Sequence, residues 1–448
     1  MEKSNKSWKR IRLSAISMGA LLSAGVLSPA HAQDANTGLL GDAGGVRTYL
    51  GKYGITLGIT DSENLLGNLS GGVKQGATMQ GVTTATLEVD TAKAFGWQGG
   101  TFHISALQLH GRSLSGAYLD DLQAANGNEG EDATRLWELW YDQALGKIGA
   151  DIKIGQQSID NEFMVSQYSG LFVNTMAGWP MLPSADLYGG GPAYPLSSLG
   201  ARVLFKPLAN ATVLAGVFDD DPGNGAFSDD EQYLDRNGAL FNLRHGALFI
   251  SELQCVATPL PNRTGTYKLG FWYDTASFPD QRYGTDGRSL ANPDSNGDPE
   301  MHHGNYSVYA VVDQSLWQSK SDTARGVHVF GRIMGAPSDQ NFVSLSFNGG
   351  VTMTALLPGR DNDTAGIDFG LAKVSNRAGG LDRDTGASAR GTEELVELTY
   401  QAQATPWLVL QPSMQYIVHP GGGVTDPDDG SRNLRDEFVL GVRAVTTF

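Results

Sequence analysis

The sequence predicts an all-β fold, a transmembrane antiparallel up-and-down β-barrel of sixteen strands. Three observations lead to this prediction: apolar and polar residues alternate in many short runs, turn residues separate these runs, and the connections alternate between short and long. The chain has 448 residues, of which 58 are glycine, as expected for many tight turns. After residue 32 no apolar run reaches the roughly 18 residues of a membrane-spanning helix.

Residues 1–32 have the pattern of a cleaved signal peptide. Basic residues precede an apolar run from Leu13 to Leu27, and Ala-His-Ala at 30–32 provides the small residues that signal peptidase recognises before Gln33. The apolar run is too short for a spanning helix. We therefore expect residues 33–448 to form one exported barrel domain. Removing five basic residues and one acidic residue takes its formal charge from −16 to −20.

This acidic balance and the single cysteine disfavour several classes of function. Nucleic-acid binding needs clustered Lys and Arg, so we expect no nucleic-acid partner. Cys255 is the only cysteine and cannot form an internal disulfide. No Ser-His-Asp or paired-carboxylate pattern indicates an enzyme, so we expect no catalysis, no cofactor and no metal site. The sequence leaves open whether acidic outer loops, such as residues 218–224, bind divalent cations.

The C-terminal run shows what each face of a strand carries. Leu440, Val442 and Ala444 share one face, while Arg443 lies on the other, and the run ends at Phe448. In a membrane barrel the apolar face contacts lipid and the polar face lines a wet lumen. An apolar face that ends at a terminal aromatic residue is typical of outer-membrane barrels.

Sixteen such runs can be identified along the chain. They lie near residues 53–61, 77–91, 101–113, 134–145, 148–157, 198–206, 210–218, 247–257, 264–276, 304–316, 325–335, 341–354, 364–374, 393–404, 407–419 and 436–448. Connections after even-numbered runs are short, and most of those after odd-numbered runs are long. Bacterial outer-membrane barrels have this arrangement, with short periplasmic turns and long extracellular loops. Sixteen strands enclose an aqueous channel.

Several segments resemble the carbohydrate-selective porin B family. They include TRLWELWYDQAL (134–145), GLFVNTMAGWPMLPSADLYGGGPAYPLSSLGARV (170–203), PGRDNDTAGIDF (358–369) and ELTYQAQATPWLVLQPSMQYIVHPGGG (397–423). The similarity covers nearly all of the mature chain in order. The family pattern often has other residues at the positions of Asp142 and Ser413, so the preferred sugar stays open.

The resemblance implies an outer-membrane barrel that passes monosaccharides, above all glucose, by passive diffusion. Its expected surroundings are the lipid and lipopolysaccharide of the bacterial outer membrane, and the sequence does not distinguish a homotrimer from a monomer. The alternative is a general-diffusion or sugar-acid-permeable porin without true sugar selectivity.

A sugar channel needs polar groups for the hydroxyls and aromatic faces for the apolar side of the ring. Alternation predicts which side chains face the lumen, although each of them could instead shape the wall without touching the solute. The candidates are Glu88, Glu138, Trp140, Lys153, Arg202, Glu252, Lys268, Trp272, Arg332, Glu397, Gln415 and Arg443. Glu63 lies where the first run ends and could also point inward.

The stretch from Asn174 to Leu196 has no strand or helix periodicity and lies in the long connection 158–197. The resemblance implies that this loop folds into the lumen and narrows it, with Asn174 and Trp179 facing the solute. Tyr194 would add a second aromatic face. A loop that only caps the channel mouth is the alternative.

Overall fold

The chain forms a closed antiparallel barrel of sixteen strands in the computed structural model, which describes residues 38–146, 148–225 and 230–448. The predicted signal peptide and the cleavage point before Gln33 lie outside these residues. No helix in the described ranges combines the length and the apolar character needed to cross a membrane.

Strands follow one another around the barrel, and the last strand pairs with the first. They are β1 (Ile55–Ser70), β2 (Gly76–Asp90), β3 (Gly100–Gly111), β4 (Ala133–Leu145), β5 (Ala150–Gln157), β6 (Ser198–Leu208), β7 (Ala211–Asp219), β8 (Ala247–Leu260), β9 (Arg263–Gly284), β10 (Pro299–Gln318), β11 (Gly326–Gly335), β12 (Val343–Thr354), β13 (Thr364–Val374), β14 (Thr392–Thr405), β15 (Leu408–Val418), the separate hairpin β16 (Thr425–Asp426) and β17 (Asp429–Asn433), and β18 (Glu437–Thr447). The predicted architecture is confirmed.

The helices are short and lie in the connections. They are α1 (Val46–Gly51), α2 (Thr91–Phe95), α3 (Met181–Asp186), α4 (Glu231–Leu234), α5 (Asn376–Thr385) and α6 (Pro420–Gly423). The longest, α5, begins where the Ser375 side chain accepts a hydrogen bond from the backbone N–H of Ala378. It ends at Gly386, whose φ of 83° favours glycine.

The main difference from the predicted boundaries is the length of three strands. β1 continues nine residues beyond its predicted end at residue 61. β9 continues past its predicted end to Gly284, and β10 begins earlier than predicted, at Pro299. The polar residues at 61–64 indicate the start of a loop when only the sequence is considered. The strand pairing continues through them because a backbone ladder does not depend on side-chain polarity.

Alternation along each strand separates a lipid-facing side from a lumen-facing side. On β9, Leu269 and Phe271 are 64% and 51% exposed on the outside, whereas Trp272 between Phe271 and Tyr273 is fully buried on the inside. The buried core therefore lies within the barrel. The residues that fill the inside of the barrel belong to two connections, which we name L2 (residues 112–132) and L3 (residues 158–197). The tight turn of residues 71–75 is named L1.

Candidate functional site

L3 lies across the lumen, and carboxylates of the barrel wall hold it by its backbone. Glu252 on β8 accepts a hydrogen bond from the N–H of Met164 at 2.8 Å. Glu397 on β14 accepts hydrogen bonds from the N–H groups of Val173 at 2.8 Å and Asn174 at 3.0 Å. Because β8 and β14 are six strands apart around the barrel, the segment that contacts both of them must pass through its interior.

Two wall arginines hold L3 by its carbonyl groups. Arg332 on β11 donates to the carbonyl oxygens of Met164 and Gly178, each at 2.8 Å, and also to that of Met176. Arg443 on β18 donates to the carbonyl oxygen of Leu171 at 3.3 Å. Both arginines are almost fully buried. Their guanidinium groups therefore support the loop in this arrangement.

L2 is a second loop inside the barrel, which the sequence analysis did not predict. Gln415 on β15 donates to the carbonyl oxygen of Ala125 at 2.8 Å and accepts from the Asn174 amide at 3.1 Å. Asn174 also donates to the carbonyl oxygen of Gln123 at 2.7 Å. Asn174 and Gln415 therefore join L2, L3 and the wall. The only sequence signal was the length of L2, which several unrelated loop conformations would share.

A small cavity lies between the two loops, and we name it the passage. Its lining combines aromatic rings with small and polar groups: Gly127, Asp160, Phe172, Val173, Asn174, Thr175, Gly178, Trp179 and Tyr194. Trp179 is 7% exposed, and its indole N–H donates to the carbonyl oxygen of Gly190 at 2.8 Å. The Tyr194 hydroxyl donates to the carbonyl oxygen of Asn128 across the gap, at 3.1 Å. Hydrogen bonds thus fix the orientation of both rings.

Asp160 is a polar group of this lining, and its surroundings oppose ionisation. Burial raises the pKa of its carboxyl group above the ordinary range, against the opposing effect of its hydrogen bonds. Two of those bonds come from the Ser158 hydroxyl at 2.6 Å and the N–H of Tyr194 at 3.1 Å. The carboxyl group therefore orients the backbone beside the Tyr194 ring.

A second polar cluster occupies the wall at β4, β5 and β6. Arg202 pairs with Asp142 at 3.2 Å and Glu162 at 2.5 Å, and Lys153 also pairs with Glu162. The Lys153 ammonium group lies 4.4 Å from the centre of the Trp140 ring. Because Glu162 belongs to L3, these charges contact the loop through a side chain rather than through its backbone.

This cluster continues onto β2 and β3. The His103 ring stacks on the Trp140 ring at 4.6 Å, and His103 Nδ1 lies 3.2 Å from a Glu88 oxygen. Glu138 accepts a hydrogen bond from the N–H of Ser158 at the beginning of L3, at 3.1 Å. The structure thus brings five of the predicted lumen residues together: Glu88, Glu138, Trp140, Lys153 and Arg202.

Two further predicted residues lie under L3. Lys268 Nζ is 3.6 Å from a Glu252 oxygen, and Trp272 is fully buried in a cluster with Phe163 and Leu182 of L3. In this arrangement Trp272 packs against the loop and has no surface that a solute could contact. Full burial of such a side chain contributes about 1.5–3 kcal/mol to folding.

Glu63 requires a correction because it does not line the lumen. The pairing of β1 with β2 is continuous, with Glu63 opposite Gly81 and Leu65 opposite Met79. Leu65 and Met79 are 52% and 56% exposed on the outside. Since side chains two residues apart share a face, Glu63 also faces outward. There it lies 2.7 Å from His110 Nε2.

Some residues that hold the loops were missed in the sequence. Asp313 on β10 accepts hydrogen bonds from the Ser166 hydroxyl at 2.6 Å and the N–H of Gln167 at 3.0 Å. Glu393 on β14 accepts from the N–H groups of Leu122 and Gln123. Both lie within predicted strands on the polar face, so alternation could have identified them. The loop residue Glu162 carried no such signal.

Comparison with known proteins agrees with this architecture. The model of the family described as "Carbohydrate-selective porin, OprB family" matches residues 74–448. The chain is 25% identical to Porin B of Pseudomonas aeruginosa over an alignment of 479 residues that covers 98% of this chain and 99% of that protein. It is 26% identical to the putative porin QuiX of Acinetobacter baylyi over 427 residues, covering 87% and 90% of the two chains.

A solved structure shares the fold. The high-pH structure of Pseudomonas putida OprB superposes with a TM-score of 0.80 at 21% identity, covering 94% of this chain and all of that one. At this level of identity the likeness concerns the barrel architecture.

Proposed function

This chain belongs to the carbohydrate-selective porin family, and we propose that it admits monosaccharides by passive, selective diffusion through the passage between L2 and L3. The family and the barrel indicate a channel of the bacterial outer membrane rather than an enzyme. The observation that carries the finer proposal is the lining of that passage, where Trp179 and Tyr194 lie beside Asn174 and Asp160.

The chemistry of this lining suits a hexose. A monosaccharide presents an apolar ring face, which stacks on aromatic rings, and a rim of hydroxyls, which need donors and acceptors. Selective transport also requires weak contacts at several points, because a tightly bound solute would block the channel. Two aromatic rings with a few polar neighbours meet both requirements without a deep binding pocket.

The hydrogen bonds that hold the backbone of L3 also favour selection by size. Its backbone is held at Met164 by Glu252 and Arg332, and at Val173 and Asn174 by Glu397. A loop fixed at several backbone groups keeps the width of the passage constant. A disaccharide would then pass much more slowly than glucose.

The test is liposome swelling with glucose, gluconate and sucrose, combined with glucose block of the current in planar bilayers. We expect the wild-type protein to pass glucose faster than sucrose, with a larger ratio of rates than their difference in molecular size accounts for. We also expect glucose to reduce the current in planar bilayers. Trp179→Ala should lower the glucose-to-sucrose ratio and weaken the block, because one stacking face, worth about 1 kcal/mol, is lost.

Trp97→Ala is the matched control, because Trp97 is 64% exposed and lies in the short turn after α2. It should behave like wild type. If the three solutes enter wild-type liposomes at rates set by size alone, the channel is a general-diffusion porin. Rapid entry of gluconate would instead indicate a sugar-acid-permeable porin.

A further inference from the structure

A group of buried oxygen atoms without hydrogen-bond partners lies where the end of β1, L2 and the start of β18 meet. Glu437 is fully buried and Asn68 is 2% exposed. In the described part of the chain, neither carboxylate oxygen of Glu437 has a hydrogen-bond partner, and the same holds for Asn68 Oδ1 and both oxygens of Asp121. Unsatisfied buried acceptors cost about 1–3 kcal/mol each, and more when charged.

Gly72 shows that Asn68 and Glu437 lie close together. A Cβ atom at Gly72 would lie 2.9 Å from Glu437 Oε1, 2.9 Å from Asn68 Nδ2 and 2.7 Å from the carbonyl oxygen of Tyr118. The Asn68 amide donates to the carbonyl oxygens of L1 at Gly71 and Lys74, at 2.9 and 3.0 Å. Because the Asn68 amide nitrogen makes these two hydrogen bonds, the amide is oriented by them and its Oδ1 atom is left without a partner.

The surroundings of Glu437 are negatively charged. Its strongest charged neighbours are the carboxylates of Asp121, Glu393, Asp120 and Asp436. Burial raises the pKa of Asp121 well above its ordinary value, and the negative charges of Glu393 and Glu129 raise it further. The nearby Ser115 hydroxyl has the opposite effect.

Several of the neighbouring charged side chains already have partners. Glu393 already accepts hydrogen bonds from the N–H groups of Leu122, Gln123 and Gly421. Arg390, which lies near Asp120, is engaged by Asp382. Lys74 and Arg112 lie over the Tyr118 ring instead, at 5.1 and 5.7 Å from its centre.

We propose that a calcium ion binds between Asp121, Glu437 and the Asn68 amide oxygen. Calcium takes six to eight oxygen ligands, accepts carboxylates in bidentate geometry and tolerates amide and backbone carbonyl oxygens. Magnesium requires near-ideal octahedral geometry and keeps several waters, which suits this buried site less well. Zinc and copper prefer nitrogen and sulfur ligands, which these three residues do not provide.

Calcium at this position joins the end of β1, L2 and β18. L2 carries Asn128, whose carbonyl oxygen accepts the hydrogen bond from Tyr194 across the passage. The ion therefore stabilises the L2 side of the passage. The sequence does not predict this site, because Asn68, Asp121 and Glu437 are far apart in the chain and resemble no calcium-binding motif.

The experiment uses the full-length protein, purified in detergent without lipopolysaccharide and freed of metal with EDTA. Calcium binding is measured by calorimetry, and thermal unfolding is followed with calcium or magnesium over a pH series. We expect one calcium per chain and an unfolding temperature that rises with calcium more than with magnesium. Glu437→Gln should weaken calcium binding by about tenfold or more, because the site loses one of its two carboxylates.

Glu300→Gln is the control. Glu300 lies in a second acidic group, with Asp280 and His302, whose ligand atoms are within 4.8 Å of one another. Calcium binding that survives Glu437→Gln but is lost in Glu300→Gln would overturn the proposal. It would also be overturned by an unfolding temperature that rises with falling pH and does not respond to calcium, since Asp121 and Glu437 would then share a proton.

Discussion

Two parts of the lumen wall use the same kind of residues in different ways. On β8, β11 and β14, Glu252, Arg332 and Glu397 contact the backbone of L3. On β5 and β6, Lys153 and Arg202 mainly pair with carboxylate side chains. A side chain held by several backbone groups fixes the position of a loop, whereas paired side chains can rearrange together. Inward charge alone therefore does not identify a solute contact.

Arg332→Met should have the largest effect, because it breaks this backbone support. The substitution leaves the carbonyl groups of Met164, Met176 and Gly178 without their donor. Each buried carbonyl oxygen left without its donor costs about 1–3 kcal/mol. We expect a lower free energy of unfolding in urea and a higher single-channel conductance, because L3 no longer stays across the lumen.

Arg288→Met provides the control for this experiment, since Arg288 is exposed in the connection between β9 and β10. Its conductance and stability should match those of the wild type. Unchanged conductance and unchanged stability in Arg332→Met would show that Arg332 does not hold L3.

Glu397→Gln should have an intermediate effect. The glutamine keeps one acceptor oxygen but places an NH2 group where the carboxylate accepts from Val173 or Asn174. Hydrogen bonds to a charged group contribute about 1.5–3 kcal/mol. We expect a loss of stability in that range and larger fluctuations of the open-channel current. The neighbouring Glu394→Gln should change neither, because Glu394 lies on the opposite face of β14, and equal effects of the two variants would refute this assignment.

Lys153→Met should have the smallest effect on stability and a clear effect on ion selectivity. Glu162 keeps its contact with Arg202 at 2.5 Å, so we expect a change of about 1 kcal/mol or less. Removal of a positive charge from the lumen should shift the reversal potential in a salt gradient toward cation preference. Lys93→Met, at an exposed position in α2, should leave it unchanged. An identical reversal potential for Lys153→Met would place Lys153 outside the conducting path.

Glu63 shows where the sequence becomes ambiguous. Alternation correctly separates the two faces of a strand, but the boundary predicted for β1 ended at residue 61, so no register was available for Glu63. The observed strand continues to Ser70 and places Glu63 on the outer face, beside His110. The face of a residue can be predicted only where the extent of its strand is known.

The sequence by itself determined the barrel, the number of strands and the polar lining of the lumen. These properties follow from a side-chain period of two and from the lengths of the connections, both of which are local. Only the tertiary structure decided that L2 joins L3 in the lumen, that Arg332 and Glu397 support a loop, and that Asn68, Asp121 and Glu437 meet. Such contacts join residues that are distant in the chain, and the closure of the barrel brings them together.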